Sequence, residues 1–458
     1  MYKIDFKKPI HIHFIGIGGI SMSGLAEILL EEGFTISGSD AKKSPLTESL
    51  EAKGAIISYG QNASNITDDI DLVVYTAAIH KDNPELIEAV SRRLPRLSRA
   101  ELLGQLMTNY KTSIAVSGTH GKTTTTSMLS YILLNADLDP TISVGGILQA
   151  IGGNIRVGHS QTFITEACEY TNSFLHFFPR IGIILNIEED HLDFFKDLND
   201  IRHSFHQFAG LLPEDGSLVI NSDIQNYPEI YEGLSCNIVT YGLQHVADYS
   251  ADAISFDDRG AVSFDLIKHG ENKGRIELSV PGIHNVSNAL AAIATAELLD
   301  IDPQTIRHGL KLFTGTDRRF EYKGTFRGVT VIDDYAHHPT EIMATLKAAV
   351  NYPHKELWCV FQPHTYTRTK AFFKEFAEAL SHADHIVLAD IYSARETDDL
   401  GISSADLAEA IQKLGKNAVY LPSFEAIEDY LKKHCANGDL LITMGAGDVV
   451  NIGEDLLS

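Results

Sequence analysis

Four times along this chain a short apolar run ends in a glycine-rich or polar turn and gives way to a stretch with helical periodicity. IHFIGIGG leads into Leu25, Ile28 and Leu29, and SIAVSGTHGK into Met128, Leu129, Ile132 and Leu133. VTVIDDYAHHP leads into Ile342, Met343, Leu346 and Val350, and ELWCVFQPHTYTR into Phe372, Phe373, Phe376 and Leu380. A strand that turns directly into a helix returns to its sheet in parallel, through a crossover. The chain is thereby restricted to α/β architecture, with helices covering parallel sheets. Ligands of such sheets gather beyond the carboxyl ends of the strands, so the turns are where chemistry is expected.

A chain of 458 residues is too long for one core, and domain lengths of roughly 150 residues predict about three domains. Polar breaks at TNYKT and FTGTD place the divisions at 1–108, 109–314 and 315–458. The expected fold class is α/β in three domains. The first and last are Rossmann-like, and the central one is P-loop ATPase-like. Between about 214 and 280 the runs AVSFDLI and GRIELSV, with DDRG as a turn, alternate instead. They predict an antiparallel sheet attached to the central domain.

With 37 basic against 61 acidic residues the formal charge is −24, and no basic tract offsets it. Nucleic acid and acidic membrane surfaces are poor partners for such a chain. Cys168, Cys236, Cys359 and Cys435 stand far apart without a CxxC pair, which argues against a disulfide scaffold or a cysteine zinc site. No apolar run approaches the ~18 residues of a membrane span. The opening MYKIDFKKPIHIHFIG has no signal-peptide layout. A cytoplasmic enzyme, monomeric or weakly dimeric, is expected.

The strongest local signal is Gly118-Thr119-His120-Gly121-Lys122-Thr123-Thr124, between a strand and a helix. Backbone N–H groups at a helix start favour phosphate, Lys122 supplies a point charge for the outer phosphates, and the Thr123 hydroxyl suits Mg²⁺. The general GxxxxGK[ST] pattern requires glycine where this chain has Val116, so the match is to a shorter ATP loop. A second glycine loop, Gly16-Ile17-Gly18-Gly19-Ile20-Ser21, joins the first strand to its helix, and Asp40 ends the next strand. It reads either as a tight structural turn or as a diphosphate site with Asp40 near the attached nucleoside. With an ATP loop already present, the second reading implies a nucleotide-linked substrate. Glu166 and His191 each follow a strand on the side where the phosphate loop opens. With Thr123 they form a hard or borderline ligand set suited to Mg²⁺ or Mn²⁺. Glu188, Glu189 and Asp190 read as a solvated turn. His338, just before Pro339, reads equally as a helix cap or a site residue.

GIGGISMSG, GTHGKTTTT, EACEY, NIEEDHLD, GIHNVSNALAA, GTDRRFE, DDYAHHPTE and FQPHTYTRT follow one another along the chain. In that order they resemble the Mur ligase family, and the resemblance covers essentially the whole length. It implies an ATP-dependent ligase of peptidoglycan precursor synthesis, with ATP, UDP-N-acetylmuramate and L-alanine as substrates and an acyl phosphate between them. It implies Glu166 and His191 as magnesium ligands and Asn288 at the adenine. Arg318 or Arg319 would point toward the nucleotide. Tyr335, His337 and Arg368 would meet the amino acid. His337 is the expected helper in deprotonating the amine, on the expectation that its pKa lies near working pH. Some relatives carry arginine at the position of Thr365, and others a carbamylated lysine that residues 201–210 lack. That lack agrees with the alanine-adding branch. A peptide-adding recycling ligase, a dinucleotide oxidoreductase and a non-enzymatic ATP-regulated binding protein are the rival readings.

Overall fold

The computed structural model describes every residue except Met1, Ala77, Asp193, Asp258, Arg259, Arg395 and Asp398. The last residue of NIEEDHLD and the middle of the DDRG turn therefore lie outside the described residues. Two compact units are present. The first comprises Met1–Glu188, Leu198–Tyr241 and Ala291–Thr305, and the second Glu189–Asp197, Gly242–Leu290 and Ile306–Ser458.

In the first unit, β1 (His11–Ile15), β2 (Thr35–Asp40), β3 (Ile56–Tyr59), β4 (Leu72–Tyr75) and β5 (Arg96–Ser98) form a sheet ordered β3-β2-β1-β4-β5. All of its pairings are parallel. Strand order reverses beside β1, so the glycine loop after β1 lies at a topological switch point, where doubly wound sheets bind ligands. Next come β6 (Thr112–Ser117), β7 (Thr141–Leu148), β8 (Gly153–Arg156), β9 (Thr162–Ala167), β10 (Ile181–Ile184), β11 (Ser217–Asn221) and β12 (Asn237–Tyr241). They lie in the order β12-β11-β10-β6-β9-β7-β8. All pair in parallel except the β7–β8 hairpin. The middle of β6 is apolar and buried: Ile114, Ala115 and Val116 have no exposure, as expected when helices cover both faces.

The second unit contains the antiparallel meander β13 (Tyr249–Phe256), β14 (Ala261–Lys268) and β15 (Glu271–Pro281). Its other sheet is built from β16 (Glu321–Phe326), β17 (Val329–Asp334), β18 (Leu357–Phe361), β19 (His385–Leu388), β20 (Asn417–Tyr420) and β21 (Leu440–Met444). The order is β16-β17-β21-β18-β19-β20, parallel apart from the β16 edge. Ile332, Cys359 and Phe361 face one cluster with Ile342, Leu346 and Phe376, while Val331, Trp358 and Val360 face another with Ile427 and Ile452. Successive residues thus bury opposite faces. The α/β class in three domains is as expected from the sequence, but the antiparallel segment is shorter than the expected 214–280: β11 and β12 pair in parallel, and only β13, β14 and β15 are antiparallel. All four strand–turn–helix units form, although the last helix, beginning at Tyr366, breaks at Phe372 before Phe373–Leu380. The four cysteines are free thiols. No described helix is long and apolar enough to cross a membrane.

Candidate active site

Parallel register explains how the phosphate loop acquires its neighbours. β6 lies between β9 and β10, with Val116 opposite Glu166 and Ser117 opposite Ile184. The loop leaves β6 at Gly118, and the helix Lys122–Asn135 follows with Gly121 as its left-handed cap. Gly118 has φ +144°, and a Cβ there would meet Leu185 Cβ at 2.9 Å, so the chain after β10 passes too close for any side chain. That chain also clamps the loop. The Asn186 side chain accepts from the His120 N–H at 2.8 Å and donates to the His120 carbonyl at 3.0 Å, while its own carbonyl accepts from Thr119 N–H at 3.2 Å. The N–H groups of Thr119 and His120 are therefore spent on Asn186.

Lys122 folds back on its own loop. Its ammonium donates to the Gly118 and Thr119 carbonyls and to Glu169, whose Oε2 lies 2.9 Å away. Burial disfavours the charged amine, but Glu169, by charge and hydrogen bond, together with Cys168 and Glu166 outweighs it and holds Lys122 above the usual lysine range. On β9, Glu166 Oε1 accepts from the Gly145 N–H. A Cβ on Gly145 would stand 2.8 Å from Glu166 Oε2, and one on Gly146 3.3 Å from Thr123 Cγ2. Thr123 and Glu166 thus flank the same glycine pair. A hydroxyl and an oriented carboxylate there fit a hard divalent cation.

At the other glycine loop, Gly16 N–H and Ile17 N–H donate to the Ser39 carbonyl, and Gly18 N–H donates to Asp40 Oδ2 at 2.8 Å. Asp40 thereby braces the loop from the end of β2. Gly19, Ile20 and Ser21 are exposed at the start of the helix Ile20–Glu31, which no side chain caps.

The remaining sequence-derived candidates lie in the second unit. His191 has φ +53°, its N–H donates to Asp190 Oδ1, and its Nε2 lies 3.7 Å from Asp190 Oδ2. Asp190 is no solvated residue. It is 6% exposed and meets Arg368 at 3.2 Å. Burial pushes its carboxyl up, but Arg368, His191, His338 and the His191 N–H together outweigh that and hold it well below the carboxylate range. Arg368 lies on the helix Tyr366–Ala371 and also meets His364 Nδ1 at 3.3 Å. Thr365, which precedes this helix, has φ +68°, a strained backbone for a β-branched residue.

Of the two arginines in GTDRRFE, Arg318 is the more heavily engaged. It bonds Asp333 at 2.9 Å and the Gly447 and Gly445 carbonyls at 3.0 and 2.7 Å. Arg319 keeps a 3.9 Å ion pair with Glu341 and stacks over Tyr335. Asn288, on the helix Ile283–Leu298, donates to Asn285 Oδ1 at 3.1 Å.

His337 departs from expectation. Its Nδ1 lies 3.0 Å from the Tyr335 carbonyl, which fixes the proton on that nitrogen. Burial lowers its pKa to about 4 against the pull of Glu341. At neutral pH it is an uncharged imidazole and a weak proton acceptor, because desolvation outweighs the nearby carboxylate. His338 caps the helix Pro339–Ala349, its ring accepting from the Thr340 N–H.

Asn186, Glu169 and Asp190 carry weight that sequence reasoning did not assign. Glu169 and Asp190 stood inside EACEY and NIEEDHLD. A carboxylate beside an apolar segment in a phosphate-site motif was the available signal.

The Mur ligase family catalytic-domain model matches residues 11–111, the Mur ligase middle-domain model 116–296, and the Mur ligase glutamate-ligase-domain model 318–447. A UDP-N-acetylmuramate–L-alanine ligase of Lachnospira eligens is 63% identical over 458 residues, covering all of both chains. A ligase of the same name from Agathobacter rectalis is 63% identical over 457 residues, again covering all of both. Among solved structures, the UDP-N-acetylmuramate–alanine ligase of Thermotoga maritima aligns with TM-score 0.80 at 29% identity, covering 98% of each chain. The murein peptide ligase of Psychrobacter arcticus aligns with TM-score 0.68 at 28% identity, also covering 98% of each. This chain belongs to the Mur ligase family.

Proposed function

We propose that the chain is an ATP-dependent ligase that joins L-alanine to the carboxylate of UDP-N-acetylmuramate, giving ADP and phosphate, in cytoplasmic peptidoglycan precursor synthesis. The observation that carries this reading is full-length, 63% identity to alanine-adding ligases. The reaction is shared among residues 1–108 for the UDP-sugar, 109–314 for ATP and 315–458 for the amino acid, in a monomer or weak homodimer.

A carboxylate has no leaving group. Its oxygen attacks the γ-phosphorus, the bond to the ADP oxygen breaks, and an acyl phosphate results. The alanine amine then attacks the acyl carbon and phosphate leaves. Both reactants in the first step are anions that repel in a low-dielectric site. The Gly118–Thr124 loop orients the phosphates, and Lys122 stabilises the charge spread over the transferred group. Thr123 and Glu166 would hold Mg²⁺ or Mn²⁺, which neutralises phosphate charge when bound, and the family resemblance adds His191 as a further ligand. Gly16, Gly18, Gly19, Ile20 and Ser21 would receive the UDP diphosphate at their helix start, with Asp40 as brace. Asn288 would meet the adenine.

Arg319 is the better candidate for the nucleotide, since Arg318 is committed to Asp333 and the Gly445–Gly447 carbonyls. Arg368 keeps donors beyond those given to Asp190 and His364, and these suit the alanine carboxylate, with Tyr335 and His337 lining its pocket.

Phosphate release with Mg-ATP and UDP-N-acetylmuramate tests the reading across three acceptor conditions. Release with L-alanine alone, with a product heavier by one alanyl residue, supports it. Release only with a stem tripeptide moves the chain to the peptide-adding activity of the Psychrobacter relative. Silence in every arm, including the one without acceptor, discards the ligase assignment.

A further inference from the structure

Lys122 does not present itself to an incoming phosphate. An ammonium has three N–H donors. Here they are taken by the Gly118 carbonyl, by the Thr119 carbonyl at 3.0 Å, and by both Glu169 oxygens, at 2.9 and 3.3 Å. Glu169 is 2% exposed, so this is a buried ion pair rather than a solvated contact. It also places a negative charge against the loop that is to receive a polyanion, which on electrostatic grounds alone opposes binding.

For Lys122 to reach the phosphates, its ammonium must give up Glu169. A buried carboxylate that loses its counter-charge is costly unless another cation takes over. A metal-free nucleotide brings none, whereas a nucleotide carrying a divalent cation does. We propose that Glu169 is a positioning residue that holds Lys122 back from the phosphates and makes its release conditional on a nucleotide arriving with a divalent cation. The proposal rests on the ligase reading, in that it takes the Gly118–Thr124 loop to be the ATP site. It adds a gate that Thr123, Glu166 and His191 do not supply.

The test is ATP binding by calorimetry, without UDP-sugar, once in EDTA and once with excess Mg²⁺, for the wild type and Glu169→Gln. Removing the buried charge is expected to tighten metal-free ATP by about tenfold while Mg-ATP changes little, so the ratio of the two affinities shrinks. A ratio equal to the wild type's, or an equal weakening of both forms in a variant with native circular dichroism, overturns the gate. If Glu169→Gln does not fold, Glu169→Asp, whose carboxylate stands one methylene further from Lys122, shifts the ratio the same way by a smaller factor. An unchanged ratio there overturns the gate equally. A wild type that binds no ATP in either condition overturns the ligase reading and the gate together. Clear ATP binding with an unaltered ratio in the variants removes the gate alone.

Discussion

Burial sets the charge states around the phosphate loop and the DDYAHHP turn, and each can be tested by removing one partner. Lys122→Met leaves Glu169 buried without its ammonium, at a cost of about 3–5 kcal/mol. Adding Glu169→Gln is expected to recover most of that loss in denaturant titrations, and a double variant no more stable than Lys122→Met would contradict the pairing. The same lysine substitution is expected to slow phosphate release by about a thousandfold, since it removes the cation facing the transferred group. His337 gives a pH-dependent test. Its unfolded imidazole titrates at 6.5 and its folded one at about 4. Between those values the unfolded chain takes up a proton that the native chain refuses, so acidification through this window lowers stability. Asp334, pushed up to about 6 by burial, acts in the opposite direction, because its native carboxyl keeps a proton that the unfolded one has released. Comparison with His337→Gln isolates the histidine. The wild type is expected to lose roughly 2–4 kcal/mol relative to the variant between pH 7 and pH 4. A difference that stays flat with pH would exclude a buried neutral His337.

Strands and helices place these residues through register and close backbone approach, and this scale divides what the sequence reveals from what it hides. The two glycine loops were legible because a strand–turn–helix unit needs glycine where φ is positive, and the local sequence carries that need. Asn186 was not legible. Its grip on His120 exists because β10 pairs with β6 and continues alongside Gly118, a partnership between segments some seventy residues apart. Asp190 was misread for a similar reason, since an acidic triplet looks solvated until Arg368 is brought against it. The contact between the first helix and the β7–β8 hairpin is another such case. A Cβ on Gly24 would stand 2.1 Å from Ile155 Cγ1, so that glycine serves contact rather than backbone freedom. Gly24→Ala is expected to destabilise the wild type by about 1–3 kcal/mol through overpacking. In an Ile155→Ala background the penalty is expected to shrink or reverse, because only the 155 Cβ, 3.2 Å from the added Cβ, is left to oppose a helix-propensity gain of about 1 kcal/mol. Chemical denaturation of the four proteins settles the sign, and Gly24→Ala acting alike in both backgrounds would refute the contact.

At the scale of the whole molecule, a chain of formal charge −24 must collect ATP and a sugar nucleotide that carries a diphosphate and a carboxylate. Its composition argues against polyanionic macromolecules as partners, yet its proposed substrates are themselves small polyanions. Local cations reconcile the two within limits, because several of those nearest the candidate sites are already neutralised. Lys122 is paired with Glu169, Arg368 with Asp190, and Arg318 with Asp333. An approaching anion therefore meets a field dominated by the net negative charge until it is within hydrogen-bonding reach. Salt should then help rather than hinder. The Debye length falls from about 30 Å at 0.01 M to about 8 Å at 0.15 M, so long-range repulsion is screened while contacts inside the site are kept. With free Mg²⁺ fixed and ATP saturating, the KM for UDP-N-acetylmuramate is expected to fall about two- to fivefold across that range, with kcat nearly constant. A KM that rises with salt would mean that unpaired cations steer the substrate after all, and that the ion pairs at the loops open before the nucleotide arrives.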